Sequence, residues 1–460
     1  MKETKDQFIA KSTIKVSDKE HRRKINFNLG KYNAVVPKGK QQFIDVNLVS
    51  EQAKNLKWKA LASLDKNLEQ FEAAITKRGA KVIWAEDTTQ ALEAIGKICK
   101  EKKCKTIVKS KSMVTEEIHL NDYLQTIGVE SVETDLGEYI QQLDGEPPYH
   151  IVTPAMHKSK EDVAKLFAEK LGTDPKSTPE QLTLKAREVL RKKYVQAEIG
   201  ITGANFIVSD IGGIALTENE GNGRLSCAWP NTHIVIVGIE KVIPTMNDLG
   251  LFWPLLSTFG TGQRVTVYNS IITGPRQPGE KDGPQDMYVI LLDNGRTNIL
   301  ADEKQRESLY CIRCGACLNA CPIYKNIGGH SYGTTYSGPI GSVITPNMKG
   351  LGEYKHLSYA SSLCGNCTEV CAVKINLHEL LLDNRKTAVE EGLNPMAEKL
   401  IWKAWAQSML YRPLMNLAKG NIKNYLVNKV AQSWTSVHGN LEFPEKSFNQ
   451  RWKERNKKQK

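Results

Sequence analysis

Seven of the ten cysteines fall between Cys311 and Cys371, and no other feature limits the fold so strongly. Cytosolic thiols are kept reduced, so clustered cysteines in a large chain point to metal rather than disulfides. The first group reads Cys311-x2-Cys314-x2-Cys317-x3-Cys321-Pro322. Thiolates every three residues along a tight loop reach three corners of one iron–sulfur cube, while the fourth cysteine leaves on the next helical turn. Gly315 and Ala316 let the backbone come close to the sulfides, and Pro322 fixes the exit direction. The second group is Cys364-x2-Cys367-x3-Cys371. Pairing the groups crosswise places one cluster on Cys311, Cys314, Cys317 and Cys371, and another on Cys321, Cys364 and Cys367.

The second set stops at three thiolates. A full repeat would put its fourth at position 361, where Ser361 stands. The second centre is therefore either a [4Fe–4S] cube with one non-cysteine ligand or a [3Fe–4S] centre. Candidates for the open position are Ser361, a solvent oxygen, His330 or a partner's residue. Zinc is the competing metal, but it favours paired C-x2-C units from two hairpins, and this spacing suits one tetrahedron poorly. Cys99 and Cys104, at the end of a lysine-rich helix, and Cys227, beside Ala228-Trp229-Pro230, read as small buried hydrophobes.

At 460 residues, 40% hydrophobic and 25% charged, the chain can bury a real core spread over several domains. Apolar runs such as Ile234-Val235-Ile236-Val237 are far shorter than the roughly 20 residues of a membrane span. The opening MKETKDQFIAKSTIKVSDKEHRRK has no apolar signal region. A cytoplasmic location is expected, with peripheral membrane association as the alternative. The net charge is 63 − 51 = +12, part of it in the tail RWKERNKKQK. Nucleic acid is not an expected partner, because the basic residues are scattered and no recognition motif is present.

Residues 1–48 read as a polar, extended N-terminal arm. From 49 to 300 strand and helix alternate, which predicts parallel α/β layering. A helix over 51–78 stops at Gly79. Val82–Ala85 is a short buried strand, Asp87 and Gln90 cap a helix, Thr106–Val108 is a strand, and another helix begins near Thr115. Ser131–Thr134 and Ile151-Val152 are further strands, and Thr178-Pro179 opens a long helix. Residues 200–245 are strands joined by Gly and Asn turns, and Tyr288–Leu292 is the last strand. Residues 301–390 carry the cysteines among short helices, and 391–460 form a basic helical end. There Trp402, Trp405, Leu410, Leu414 and Leu417 recur at helical spacing, which suits packing or a partner-facing or membrane-surface helix.

The cysteine block, the upstream stretch ending PNTHIVIVGIEKVIPT and the order of these parts resemble the lactate utilization protein B family. The cysteine motif alone is shared with succinate dehydrogenase and glycolate oxidase subunits; the combination is more specific. The resemblance runs over nearly the whole chain. It implies a LUD-type α/β domain, similar to the fold of sugar-phosphate isomerases and CoA transferases. An α-helical ferredoxin-type two-cluster domain and a helical extension would follow. It further implies two [4Fe–4S] clusters on the seven cysteines, and electron transfer during oxidation of L-lactate to pyruvate. Lactate utilization proteins A and C would be its companions, with the downstream electron acceptor, a protein or a quinone, open. Ala372 departs from the pattern, since many related motifs place proline there.

No G-x-G-x-x-G follows a predicted strand, so a nicotinamide or flavin site is not expected here and no catalytic residue is assigned. The loop GGHSYGTTYSGPIG, Gly328 to Gly341, is a candidate docking or cluster-covering surface, or a plain surface loop. The segment from Asp210 to Asn222, with Glu218, Glu220 and His233, is a candidate small-acid pocket; its simpler reading is a turn-rich strand pair with solvated carboxylates. A self-sufficient enzyme using that pocket for acyl or isomerase chemistry is the alternative function.

Overall fold

The computed structural model describes residues 4–458 apart from 412, 414–418, 431, 433, 434, 436 and 437. Residues 1–387 form one compact body and residues 388–460 another. The N-terminal region is helical where an extended arm was expected. Helices Lys5–Ser17 and Lys19–Lys40 meet at Asp18, whose carboxylate accepts the His21 backbone N–H at 2.9 Å. His21, Ile25 and Leu29, each four residues apart, are the buried stripe that holds the second helix down. Three apolar contacts in so polar a stretch are easily overlooked. The helix ends backbone against backbone: a Cβ on Gly39 would lie 2.5 Å from the Gly262 carbonyl oxygen.

The predicted helix over 51–78 is two helices, Val46–Ala62 and Leu64–Thr76, broken at Ser63. The strands that follow are β1 (Lys81–Ala85), β2 (Thr106–Lys109), β3 (Glu130–Glu133), β4 (Ile199–Thr202), β5 (Phe206–Val208), β6 (Gly213–Glu218), β7 (Thr232–Gly238), β8 (Val242–Ile243), β9 (Tyr268–Ile272) and β10 (Asp286–Leu292). Six of them form a wholly parallel sheet in the order β1-β10-β7-β4-β2-β3. The central strand β7 is buried along its whole length, as its near-continuous apolar sequence requires of a strand covered on both faces. A second sheet, β8-β5-β6-β9, carries the antiparallel pairs β5–β6 and β6–β9.

Three local expectations change. β1 is an edge strand rather than a buried one, with Trp84 47% exposed and its indole N–H on Glu72. Ile151-Val152 is a bend, not a strand, and it packs on the first cysteine loop. The turn after β6 opens a helix, Asn222–Ala228, because Glu218 turns back to accept the N–H groups of Gly223 and Arg224 at 2.7 and 2.8 Å.

Beyond β10 the chain breaks into short helices, including Ala316–Ala320, Pro322–Ile327, Gly338–Lys349, Leu351–Tyr359 and Asn366–Glu369. They share one hydrophobic core with the preceding α/β part, running from Ile25 and Phe206 through Leu255 to Cys314, Ile340 and Ile375. The second body holds helices Met396–Leu410, Gly420–Val430 and Phe448–Lys458. The Trp402 and Trp405 rings meet edge to face at 5.8 Å; Leu414 and Leu417 lie outside the described residues. Among the described residues no helix is long and apolar enough to cross a membrane.

Candidate metal centre

The first cysteine loop is built by two left-handed residues. Arg313 at φ +62° and Gly315 at φ +80° reverse the chain twice, so that Cys311, Cys314 and Cys317 converge. A side chain at 315 would meet Val152 at 2.9 Å. The Arg313 N–H donates to Cys311 Sγ at 3.4 Å. Cys321 stands apart at the start of helix Pro322–Ile327, where its Sγ accepts the Tyr324 N–H at 3.5 Å. Cys371 arrives from the second loop, with the Ile375 N–H on its Sγ at 3.3 Å.

The seven thiols fall into two groups. Cys311, Cys314, Cys317 and Cys371 line one apolar cavity with Ile151, Ile340, Val373 and Leu377. Burial pushes Cys314 and Cys371 up to about 12 and holds Cys317 well above the ordinary thiol range, and the charges of Cys311, Cys314 and Cys371 all act on Cys317. Cys321, Cys364 and Cys367 form the other group: burial raises Cys367 to about 11, with the Cys321 and Cys364 charges adding to it. Cys364 is exposed, and the Asn366 backbone N–H lowers its thiol. Sulfur-only donors, apolar walls and N–H groups aimed at sulfur fit an iron–sulfur group, whose binding displaces the thiol protons that burial retains.

The second loop repeats the first. Leu363 at φ +53° and Gly365 at φ +78° take the places of Arg313 and Gly315, and helix Asn366–Glu369 takes that of Ala316–Ala320. Ser361 then occupies the position of Cys311. Its hydroxyl accepts the Leu363 N–H at 3.1 Å, as Cys311 Sγ accepts that of Arg313. His330 is elsewhere: its ring lies 5.0 Å from that of His157 and 4.9 Å from Tyr149, with Nε2 on the Pro147 carbonyl. The Gly328–Gly341 segment is mostly interior, with Gly333 exposed and His330, Thr334 and Thr335 half-buried. Tyr332 and Tyr336 are buried, and Ile340 lines the four-thiol cavity.

A set of buried charges behind Cys311 escapes sequence reading. Arg296 donates to Glu117 at 2.9 and 2.8 Å and to Glu240, and the Tyr336 hydroxyl donates to Glu117 at 2.6 Å. The Arg313 guanidinium lies 4.5 Å from the Tyr336 ring. Lys57 donates to the Glu240 and Val242 carbonyls, and burial lowers it to about 7. Burial beside Arg313 lowers Lys241 to about 8. These residues come from distant parts of the chain; only Arg313, set between two cysteines, carried any signal.

Glu218 and Glu220 line a cavity of about 300 Å3, together with Asn219 and Asn222. Asp210 and His233 are not part of it. Asp210 accepts the Met246 N–H, and His233 is buried in the sheet with Nε2 at 2.8 Å from the Thr202 hydroxyl. Cys99, Cys104 and Cys227 are buried in packing positions.

Residues 68–292 match the LUD domain model, and residues 307–375 match the 4Fe-4S dicluster domain model. Lactate utilization protein B of Bacillus licheniformis is 49% identical over 355 residues, 77% of this chain and 74% of that protein. Lactate utilization protein B of Anoxybacillus flavithermus is 46% identical over 397 residues, 84% and 83% of the two chains. The relative of that name from Bacillus subtilis is 49% identical over 347 residues, 75% and 72%. The crystal structure of a DUF162 family protein from Deinococcus radiodurans aligns at a TM-score of 0.29 and 16% identity, over 50% of this chain and 98% of that one. With nearly half of the aligned residues identical over most of both lengths, and with a LUD domain followed by a dicluster domain, this chain belongs to the lactate utilization protein B family.

Proposed function

We propose that this chain is an iron–sulfur electron-transfer component of a system that oxidises L-lactate to pyruvate, working with lactate utilization proteins A and C. The observation that carries this reading is the sorting of seven thiols into a group of four and a group of three. Cys311, Cys314, Cys317 and Cys371 would hold one [4Fe–4S] cluster. Cys321, Cys364 and Cys367 would hold a second, with the Ser361 hydroxyl completing it in the place that Cys311 takes in the first loop. When bound, such groups supply one-electron redox centres.

The residues of this chain do the rest. Ile151, Ile340, Val373 and Leu377 keep water from the first group, and the N–H groups of Arg313 and Ile375 stabilise negative charge on sulfur. Lys241 and Arg313, both within range of Cys311, favour added negative charge there. Lactate oxidation releases two electrons, so a pair of one-electron centres receives both.

Purification without oxygen, iron and sulfide analysis, and EPR after dithionite reduction test this reading. Iron for two clusters and two interacting reduced centres are expected. Colourless, iron-free protein, or iron for one cluster alone, overturns it.

A further inference from the structure

The cavity of about 300 Å3 bordered by Glu218 and Glu220 opens at the carboxyl ends of three neighbouring parallel strands. Ser110–Ser112 follow β2, Gly203–Asn205 follow β4, and Lys241 follows β7. Ligands of open parallel sheets sit at this end of the strands, where loops diverge and backbone groups point outward.

Two cations in its wall carry N–H groups with no hydrogen-bond acceptor among the described residues. Lys241 is only 6% exposed, and among the described residues no acceptor lies within hydrogen-bond distance of its ammonium. Arg313 Nη1 is likewise buried without an acceptor, and Nη2 reaches Glu240 only at 3.7 Å. Burying an ammonium without an acceptor is unfavourable, so a counter-charge is expected at this spot. Uncommitted polar groups lie on the same lining: the Asn205 amide nitrogen and the Ser110 hydroxyl have no partner among the described residues. Glu218, Glu220 and Asp135 also border the space. Those carboxylates repel a phosphate or any polyanion and leave room for a single negative charge.

We propose that this cavity binds a small organic monoanion, a carboxylate with a neighbouring hydroxyl or keto oxygen. Its carboxylate meets Lys241 and Arg313, and its second oxygen function meets Asn205 and Ser110. Cys314 lines the same cavity, so the ligand lies against the four-thiol group. This goes beyond electron relay and does not require it, since the pocket residues belong to the α/β part and to one loop residue.

Anaerobic calorimetric titration of the full cluster-loaded chain with sodium pyruvate, sodium L-lactate and, as control, inorganic phosphate tests the proposal. Saturable binding of pyruvate or lactate is expected, with phosphate silent. Lys241→Gln weakens it about tenfold or more, the loss of one charge-assisted hydrogen bond, at unchanged iron content. Asn205→Ala, in the loop after β4, weakens it several-fold and serves as the decisive variant if Lys241→Gln does not fold. Absence of saturable carboxylate binding, preference for phosphate, or affinity unchanged in the folded variants overturns the proposal. A Lys241 that serves only the nearby thiolate gives the last of these results. Iron content, read on the same samples, reports on the clusters separately from the pocket.

Discussion

The two cysteine loops follow the same path but differ in depth and in one atom. Both use a left-handed residue, a cysteine and a left-handed glycine to start a short helix. Cys314 in the first is 9% exposed, whereas Cys364 at the matching place in the second is open to solvent; Cys317 and Cys367, the next pair, are both buried. The first begins with Cys311 and the second with Ser361, each accepting the N–H two residues on. Backbone geometry is thus set by the spacing and the glycines, while the chemistry is set by the donor atom and its burial. Two similar loops thus present two unlike donor sets.

The comparison is broken most completely by deleting a thiol from either loop. Cys317→Ala is expected to halve iron and sulfide by removing the first cluster, and Cys367→Ala to halve them by removing the second. Metal analysis with EPR distinguishes the remaining signals, and loss of all iron in either variant would show that the groups are not independent. Ser361 sharpens the contrast. Ser361→Cys makes the loops alike and should leave the second cube intact under mild ferricyanide oxidation. Ser361→Ala should yield the EPR signature of a three-iron centre; an alanine variant indistinguishable from the parent removes serine from the ligand set.

The glycines give the smallest effect. Gly315→Ala and Gly365→Ala both force a side chain into left-handed backbone, at about 1–2 kcal/mol. Gly315→Ala also meets Val152 at 2.9 Å, while nothing lies within 4 Å of position 365. Overpacking adds about 1–3 kcal/mol at 315. Thermal unfolding of the loaded variants should therefore rank Gly315→Ala well below Gly365→Ala.

Cysteine spacing was readable because cluster geometry is local: the ligands lie within a few residues, and the reach of a loop decides which can meet. The parallel sheet was readable from alternating strand and helix, and β7 from its apolar run. The N-terminal helices were missed because His21, Ile25 and Leu29 are diluted by charge. Ile151-Val152 resembles a strand by composition, yet it finds no ladder partner and packs on Gly315 instead. The charge set of Lys57, Glu117, Glu240 and Arg296 was invisible for another reason. Pairing between residues so far apart exists only once the chain has folded.

The single core running from Ile25 through Leu255 to Ile375 has a practical consequence for anyone building chimaeras. A cut between the LUD and dicluster portions would pass through packed side chains on both sides, so neither portion is a module to be traded alone. Grafts from relatives should exchange residues 1–387 as a block, and split versions should precipitate unless both fragments are made together.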